Sequence, residues 1–120
     1  VQEWGYTLRE PLRLTVNKGR LQSVEGDQED VEKFEALTAT DENAKNCVAE
    51  LGIGTSHTLS DHLVGSVYEY ALLGTVHIAL GRNDSIGGKT FSRIHKDVLM
   101  TKPTLELDGD RIMENGLLRI

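Results

Sequence analysis

The sequence predicts an α+β domain rich in strands, with a mixed or mostly antiparallel sheet, one main helix and a β-hairpin near each end. Three observations predict it. Apolar and polar residues alternate in Leu12-Arg-Leu-Thr-Val16 and partly in Leu21-Gln-Ser-Val24, on either side of a turn. Val31, Phe34 and Leu37 recur at helical spacing. Three later stretches, Val48–Gly54, Gly74–Gly81 and Ser92–Val98, read as short apolar strands.

Taken in order, Pro11 stands where a strand can begin without losing a ladder bond. Asn17-Lys-Gly19 is a turn signal, so 12–24 forms the first hairpin. From Asp27 the pattern changes. Asp27 is an N-cap candidate, and Glu29, Asp30 and Glu32 load the first turns with the negative charge that a helix N-terminus favours. A second short helical turn runs from Thr40 or Asp41 to about Lys45. Thr58-Leu-Ser-Asp-His-Leu-Val reads either as a helix start or as an ordered loop, and Tyr68-Glu-Tyr70 leads to the next strand. Arg82–Lys89 is a polar, glycine-rich loop. Pro103 breaks the chain. Thr104-Leu-Glu-Leu107, the Asp108-Gly109 turn and Arg111-Ile-Met113 make the second hairpin, finished by Glu114-Asn-Gly116 and Leu117-Leu-Arg-Ile120.

The 120 residues suit a single domain with a modest core. At 38% hydrophobic and 27% charged, the chain has the composition of a folded protein. Nineteen acidic against 13 basic residues give a net charge of −6, and no basic stripe is visible, which argues against a nucleic-acid binder. A single cysteine, Cys47, allows no internal disulfide, and a reducing cytoplasm is the default compartment. The apolar runs are far short of membrane-spanning length, and the opening residues do not read as a signal peptide. The start at Val1, running directly into polar sequence, is what an excised C-terminal domain of a larger protein shows, and also what a processed start shows.

Chemistry concentrates in two of the strands. His77 lies in Gly74–Gly81 and His95 in Ser92–Val98, each where an apolar residue is the bland choice. His95 and Asp97 are two apart, so on a strand both side chains take the same face. Two imidazoles and one carboxylate are enough for a divalent metal that accepts nitrogen and oxygen ligands. The plainer alternatives are a structural histidine bonded to backbone and a solvated polar face. Glu50 sits between Ala49 and Leu51 in an apolar strand. If buried it needs a metal, an arginine or a proton as partner; if on the solvent face of an edge strand it needs none. His57 and His62 read as surface residues. Tyr68 and Tyr70 alternate with Glu69, which on a strand puts both phenols on one face for packing or for orienting a substrate. Gly87-Gly88 lacks the Lys-Ser/Thr and helix start of a phosphate loop. There is no Gly-x-Ser-x-Gly element, and Cys47 has no activating neighbours, so nucleophilic catalysis finds little support.

Four blocks come in a recognisable order and spacing: Ala49-Glu-Leu-Gly-Ile-Gly-Thr55, Leu73-Gly-Thr-Val-His-Ile-Ala-Leu-Gly81, His95-Lys-Asp97 and Pro103-Thr-Leu-Glu-Leu-Asp-Gly109. From Pro11 onwards the chain resembles the C-terminal part of the leucyl-aminopeptidase-like family of thermophilic metallo-aminopeptidases. The dihydroxypyridine ring-cleaving dioxygenases, mononuclear iron enzymes, look like members of the same superfamily. The resemblance implies that Glu50, His77, His95 and Asp97 are metal-site residues. On the aminopeptidase side they hold divalent ions (zinc, cobalt or manganese), and Glu50 is a ligand or a catalytic general base. On the dioxygenase side His77, His95 and Asp97 make the triad for Fe(II). The aminopeptidase pattern has a further glutamate ligand well upstream, so residues 1–120 are expected to be the C-terminal metal-binding domain of a larger protein. Thr55-Ser-His57 stands where relatives have Thr-Asn-Pro, and Tyr68-Glu-Tyr-Ala71 where they are more acidic, which implies a changed substrate or a weakened site.

The expectations rank as follows. The first is a metal-dependent hydrolase of aminopeptidase type, a protease removing N-terminal residues with metal-activated water. The second is a non-haem iron dioxygenase acting on a dihydroxylated aromatic ring. The third is a non-catalytic domain for oligomerisation. Expected partners are a peptide or small-molecule substrate, with homo-oligomerisation left open and neither nucleic acid nor membrane involved.

Overall fold

The computed structural model describes residues 8, 10–58 and 67–119. In chain order its elements are β1 (Arg13–Asn17), β2 (Arg20–Glu25), α1 (Gln28–Thr38), β3 (Glu50–Ile53), β4 (Thr75–Gly81), β5 (His95–Thr101), β6 (Leu105–Leu107), β7 (Asp110–Glu114) and β8 (Leu117–Leu118). Short 3-10 turns cover Glu42–Lys45, Val67–Ala71 and Asp84–Ile86. Among the described residues there are one α-helix and eight strands, and the strands form sheets ordered β1-β2, β3-β4-β5 and β6-β7-β8. This is the strand-rich α+β class expected from the sequence, with hairpins at both ends. Lys18-Gly19, Asp108-Gly109 and Asn115-Gly116 turn the hairpins with positive φ at both residues, the mirror-image turn whose twist matches that of the flanking strands.

The chain divides into two compact units: Val1–Glu50 with Ile78–Asp97, and Leu51–His77 with Val98–Ile120. In the first, Asp27 caps α1, its carboxylate accepting from the Glu29 and Asp30 backbone N–H groups. Phe34 of α1 and Leu21 and Val24 of β2 are buried where helix and strand pack. The buried stripe of α1 is Asp30, Phe34 and Thr38, while Val31 and Leu37 are only half-buried at its flanks. Apolar spacing picks out Phe34 at the centre but not Asp30 and Thr38, because these two members are polar. The Thr38 hydroxyl is accommodated by donating to the Phe34 and Glu35 carbonyls. Ala44, Cys47, Ala49 and Ile94, with Ala79 and Leu80 of β4, are also buried in this unit.

Backbone bonds fix the strand directions in the central sheet. Gly54 N–H donates to the Thr75 carbonyl and Gly81 N–H to that of Asn46, so the segments of β3 and β4 run antiparallel. Arg82 N–H to Ile94 and Lys102 N–H to Gly74 do the same for β4 and β5. β4, the central strand, is buried at six of its seven positions, as its near-continuous apolar run requires. β5 begins at His95, not at Ser92. Ser92 and Arg93 give their donors to the Asp41 carboxylate instead of to a strand ladder.

In the second unit, Val76 and Met113 are buried. Tyr68 and Tyr70 do not share a face, because their segment is a 3-10 turn of about three residues per revolution rather than a strand. Tyr70 meets His77, whereas Tyr68 is exposed. Among the described residues, no helix is long and apolar enough to cross a membrane.

Candidate metal centre

Three residues of the first unit converge. Glu50 opens the edge strand β3, and His95 and Asp97 stand two apart at the start of β5, side chains on the same face. One donor atom from each lies within 4.8 Å of the others. His95 Nε2 is 3.4 Å from Glu50 Oε2 and 3.4 Å from Asp97 Oδ1. Those separations exceed a good N–H···O bond of about 2.7–3.2 Å. They are of the size found between donors of a common ion: with bonds of about 2.1 Å, two ligands stand roughly 3.0 Å apart at a right angle and roughly 3.4 Å apart at the tetrahedral angle. All three side chains are about 30% exposed, so the group is partly shielded yet open to solvent.

The other nitrogen of His95 is spoken for. Nδ1 lies 2.7 Å from the Arg82 carbonyl oxygen. A carbonyl only accepts, so Nδ1 carries the proton and, in the neutral ring, Nε2 keeps its lone pair facing the two carboxylates. Metal-binding histidines are held in the same way, their second nitrogen donating to a backbone carbonyl or a carboxylate. The Arg82 side chain is engaged elsewhere. Its guanidinium grips Asp84 through two bonds of 2.8 and 2.7 Å and lies over the Phe91 ring at 5.1 Å. This pairing holds the Asp84 carboxyl below the usual range. Lys96, between the two site residues in sequence, has its ammonium pushed down by burial, with the Asp97 charge opposing.

Sequence reasoning gathered Glu50, His77, His95 and Asp97. The converging group comprises Glu50, His95 and Asp97 and does not include His77. His77 belongs to the second unit, where it is 8% exposed, with Tyr70 edge-on at 5.0 Å and 72°. Gly52 leaves room for its ring: a Cβ there would stand 1.9 Å from His77 Cε1. Glu50 lies on an edge strand, half-buried, with its carboxylate beside His95. His57 is exposed, and His62 lies outside the described residues. The Arg82 carbonyl escaped sequence reasoning, since a backbone acceptor leaves no signature in residue type.

A family model for the 2,5-dihydroxypyridine 5,6-dioxygenases (NicX) matches residues 3–120. The chain belongs to this family. No curated protein and no solved structure matches it. Membership in the dioxygenase family corrects the leading sequence expectation. The hydrolase, aminopeptidase and protease readings are overturned, and the leucyl-aminopeptidase half of the resemblance finds no support, while its dioxygenase half does. The error has a physical origin, because imidazole and carboxylate ligands serve hydrolytic zinc or manganese and oxidative iron alike. What stands is a dioxygenase family and a nitrogen-and-oxygen donor group suited to a divalent ion.

Proposed function

We propose that this chain carries the iron site of a mononuclear non-haem dioxygenase that opens a dihydroxylated pyridine ring. The observation that supports it best is His95, with Nδ1 tied to the Arg82 carbonyl and Nε2 turned towards Glu50 and Asp97. Bound Fe(II) would supply the electron-transfer chemistry towards dioxygen that no amino-acid side chain provides. A two-histidine, one-carboxylate set is the usual ligand chemistry for such an ion. His95 and Asp97 are two of its members. The group that converges here has one imidazole and two carboxylates, with Glu50 as its third donor. Glu50 Oε2, beside His95 Nε2, is also the atom placed to take the proton of a ring hydroxyl. Both atoms of dioxygen enter the ring-opened product, so no external reductant is needed.

The test is to load the chain with Fe(II) anaerobically, add 2,5-dihydroxypyridine, and then admit oxygen. The expected result is equal molar consumption of oxygen and substrate, with no release of product from an aminoacyl anilide. His95→Ala and Asp97→Ala should each lose the iron. Glu50→Gln should turn over at least about 100-fold more slowly, the scale of a lost general base. Oxygen uptake no faster than with iron alone in buffer would sink the proposal.

A further inference from the structure

The segment just before the central sheet contacts both sides of the loop that supports His95. Asp41 caps the 3-10 turn Glu42–Lys45, its Oδ1 accepting from Asn43 N–H at 2.9 Å. Its Oδ2 accepts from the Ser92 hydroxyl at 2.9 Å and from the Arg93 backbone N–H at 2.8 Å. Ser92, 1% exposed, passes the contact on, its hydroxyl oxygen accepting from Ile94 N–H at 3.2 Å. Asn43 Nδ2 donates to the Phe91 carbonyl at 2.8 Å. On the other side of the loop, Asn46 exchanges bonds with Gly81: Gly81 N–H donates to the Asn46 carbonyl and Asn46 Nδ2 to the Gly81 carbonyl. Gly81 immediately precedes Arg82, whose carbonyl orients His95, and Arg82 N–H in turn bonds Ile94. The two chain segments that fix the His95 ring, 81–82 and 91–94, are therefore both bonded to residues 41–46.

We infer that Asp41 is a positioning residue for the metal site, holding His95 in register with the Arg82 carbonyl through Ser92 and Arg93. This rests on the metal reading above. Asp41 itself is not a member of the donor group. A strand that starts at His95 has no ladder bond at 92–93 to set its entry. A single carboxylate oxygen with two donors does that work, and its loss frees the backbone two residues before the ring. The hydrogen-bond partners behind metal ligands are typically worth 10–100-fold in metal affinity.

The experiment measures Fe(II) affinity anaerobically by competition with a chelator, together with the visible spectrum of the Co(II)-loaded protein. It compares the full wild-type chain with Asp41→Ala, Asp41→Asn, Ser92→Ala and, as a control for lost stability alone, Asp27→Ala. The expected result is at least about tenfold weaker Fe(II) binding in Asp41→Ala with a shifted Co(II) spectrum. Asp41→Asn and Ser92→Ala, which each keep part of the contact, should fall between it and wild type. Asp27→Ala should keep wild-type affinity and spectrum. Wild-type affinity in a folded Asp41→Ala overturns the inference and leaves the metal reading intact. If Asp41→Ala does not fold, wild-type values for both Ser92→Ala and Asp41→Asn overturn it. A wild-type chain that binds neither ion overturns the metal reading and this inference together.

Discussion

Gly52→Ala tests the packing around His77 most directly. The added Cβ would stand 1.9 Å from His77 Cε1, 2.4 Å from Nε2 and 2.6 Å from Nδ1. Ordinary contact begins at about 3.5 Å, so the nearest atom is roughly 1.6 Å too close and the whole ring must move. The ring is buried at 8% exposure with Tyr70 edge-on at 5.0 Å, so displacing it disturbs packing rather than swinging a side chain into water. Overpacking of this kind costs about 1–3 kcal/mol. One effect opposes it. The backbone at Gly52 does not have a positive φ, so alanine can adopt its conformation, and replacing glycine restricts the unfolded chain by about 0.4–1 kcal/mol in favour of folding. The clash wins. The expected net change is a loss of about 1–2 kcal/mol, or about 4–8 °C in Tm for a domain of this size. Urea titration and thermal melts of Gly52→Ala, His77→Ala and the double variant separate the two contributions. With the ring removed, alanine at position 52 should become neutral or mildly stabilising. Equal cost in both backgrounds, or a Gly52→Ala chain as stable as wild type, would refute the steric reasoning.

Two further outcomes are expected from the first unit and from the ion pairs. Asp27→Ala removes the acceptor for the Glu29 and Asp30 N–H groups and should cost about 1 kcal/mol, read as a lower urea midpoint with an unchanged slope; no change would mean that the cap is not stabilising. Asp41, Asp84 and Glu114 are held below their ordinary values of 3.8, 3.8 and 4.5, by the Arg93 N–H, the Arg82 guanidinium and the Arg119 guanidinium respectively. Their folded forms bind fewer protons than their unfolded forms, so the stability they give is complete above those ordinary values and drains away as pH falls from there through the lower folded values. Urea midpoints should therefore drop steadily between pH 5 and pH 3, and midpoints that stay flat across that range would contradict these assignments.

The parts of the fold legible in the sequence are those specified by neighbouring residues. The turn pairs at Lys18, Asp108 and Asn115 each carry the following glycine that a mirror-image turn needs, and all three hairpin turns form there. Asp27 announced α1 because a cap is a local bond. What escaped depends on partners distant in sequence. Asp41 read only as the start of a helical turn, while its second oxygen reaches residues 92 and 93, some fifty positions away. The alternation at Tyr68 and Tyr70 suggested a strand, but two residues of alternation fit a 3-10 turn equally well. Of the candidate site, the His95–Asp97 pair was the most legible part, since strand geometry alone aligns residues two apart. The arrival of Glu50 beside them needed the register of β3, which no local pattern encodes.

The same limit explains why the residue types suit a hydrolase and a dioxygenase alike, and why the family match is what separates them. An imidazole and carboxylates accept zinc, manganese and iron alike, so residue types narrow the ion without choosing it. A hydrolase needs its ion to acidify water, and a dioxygenase needs its ion to exchange electrons. Neither demand is written in which three side chains converge. What the chain does control is which imidazole nitrogen faces the carboxylates, and here a backbone carbonyl at 2.7 Å makes that choice. On the proposed metal reading, substitutions at Asp41, Ser92 or Asn46, which lie outside the donor group, act on the His95 ring before they act on any chemistry. Substitutions of Glu50, His95 or Asp97 remove a donor outright and so cannot reveal that effect.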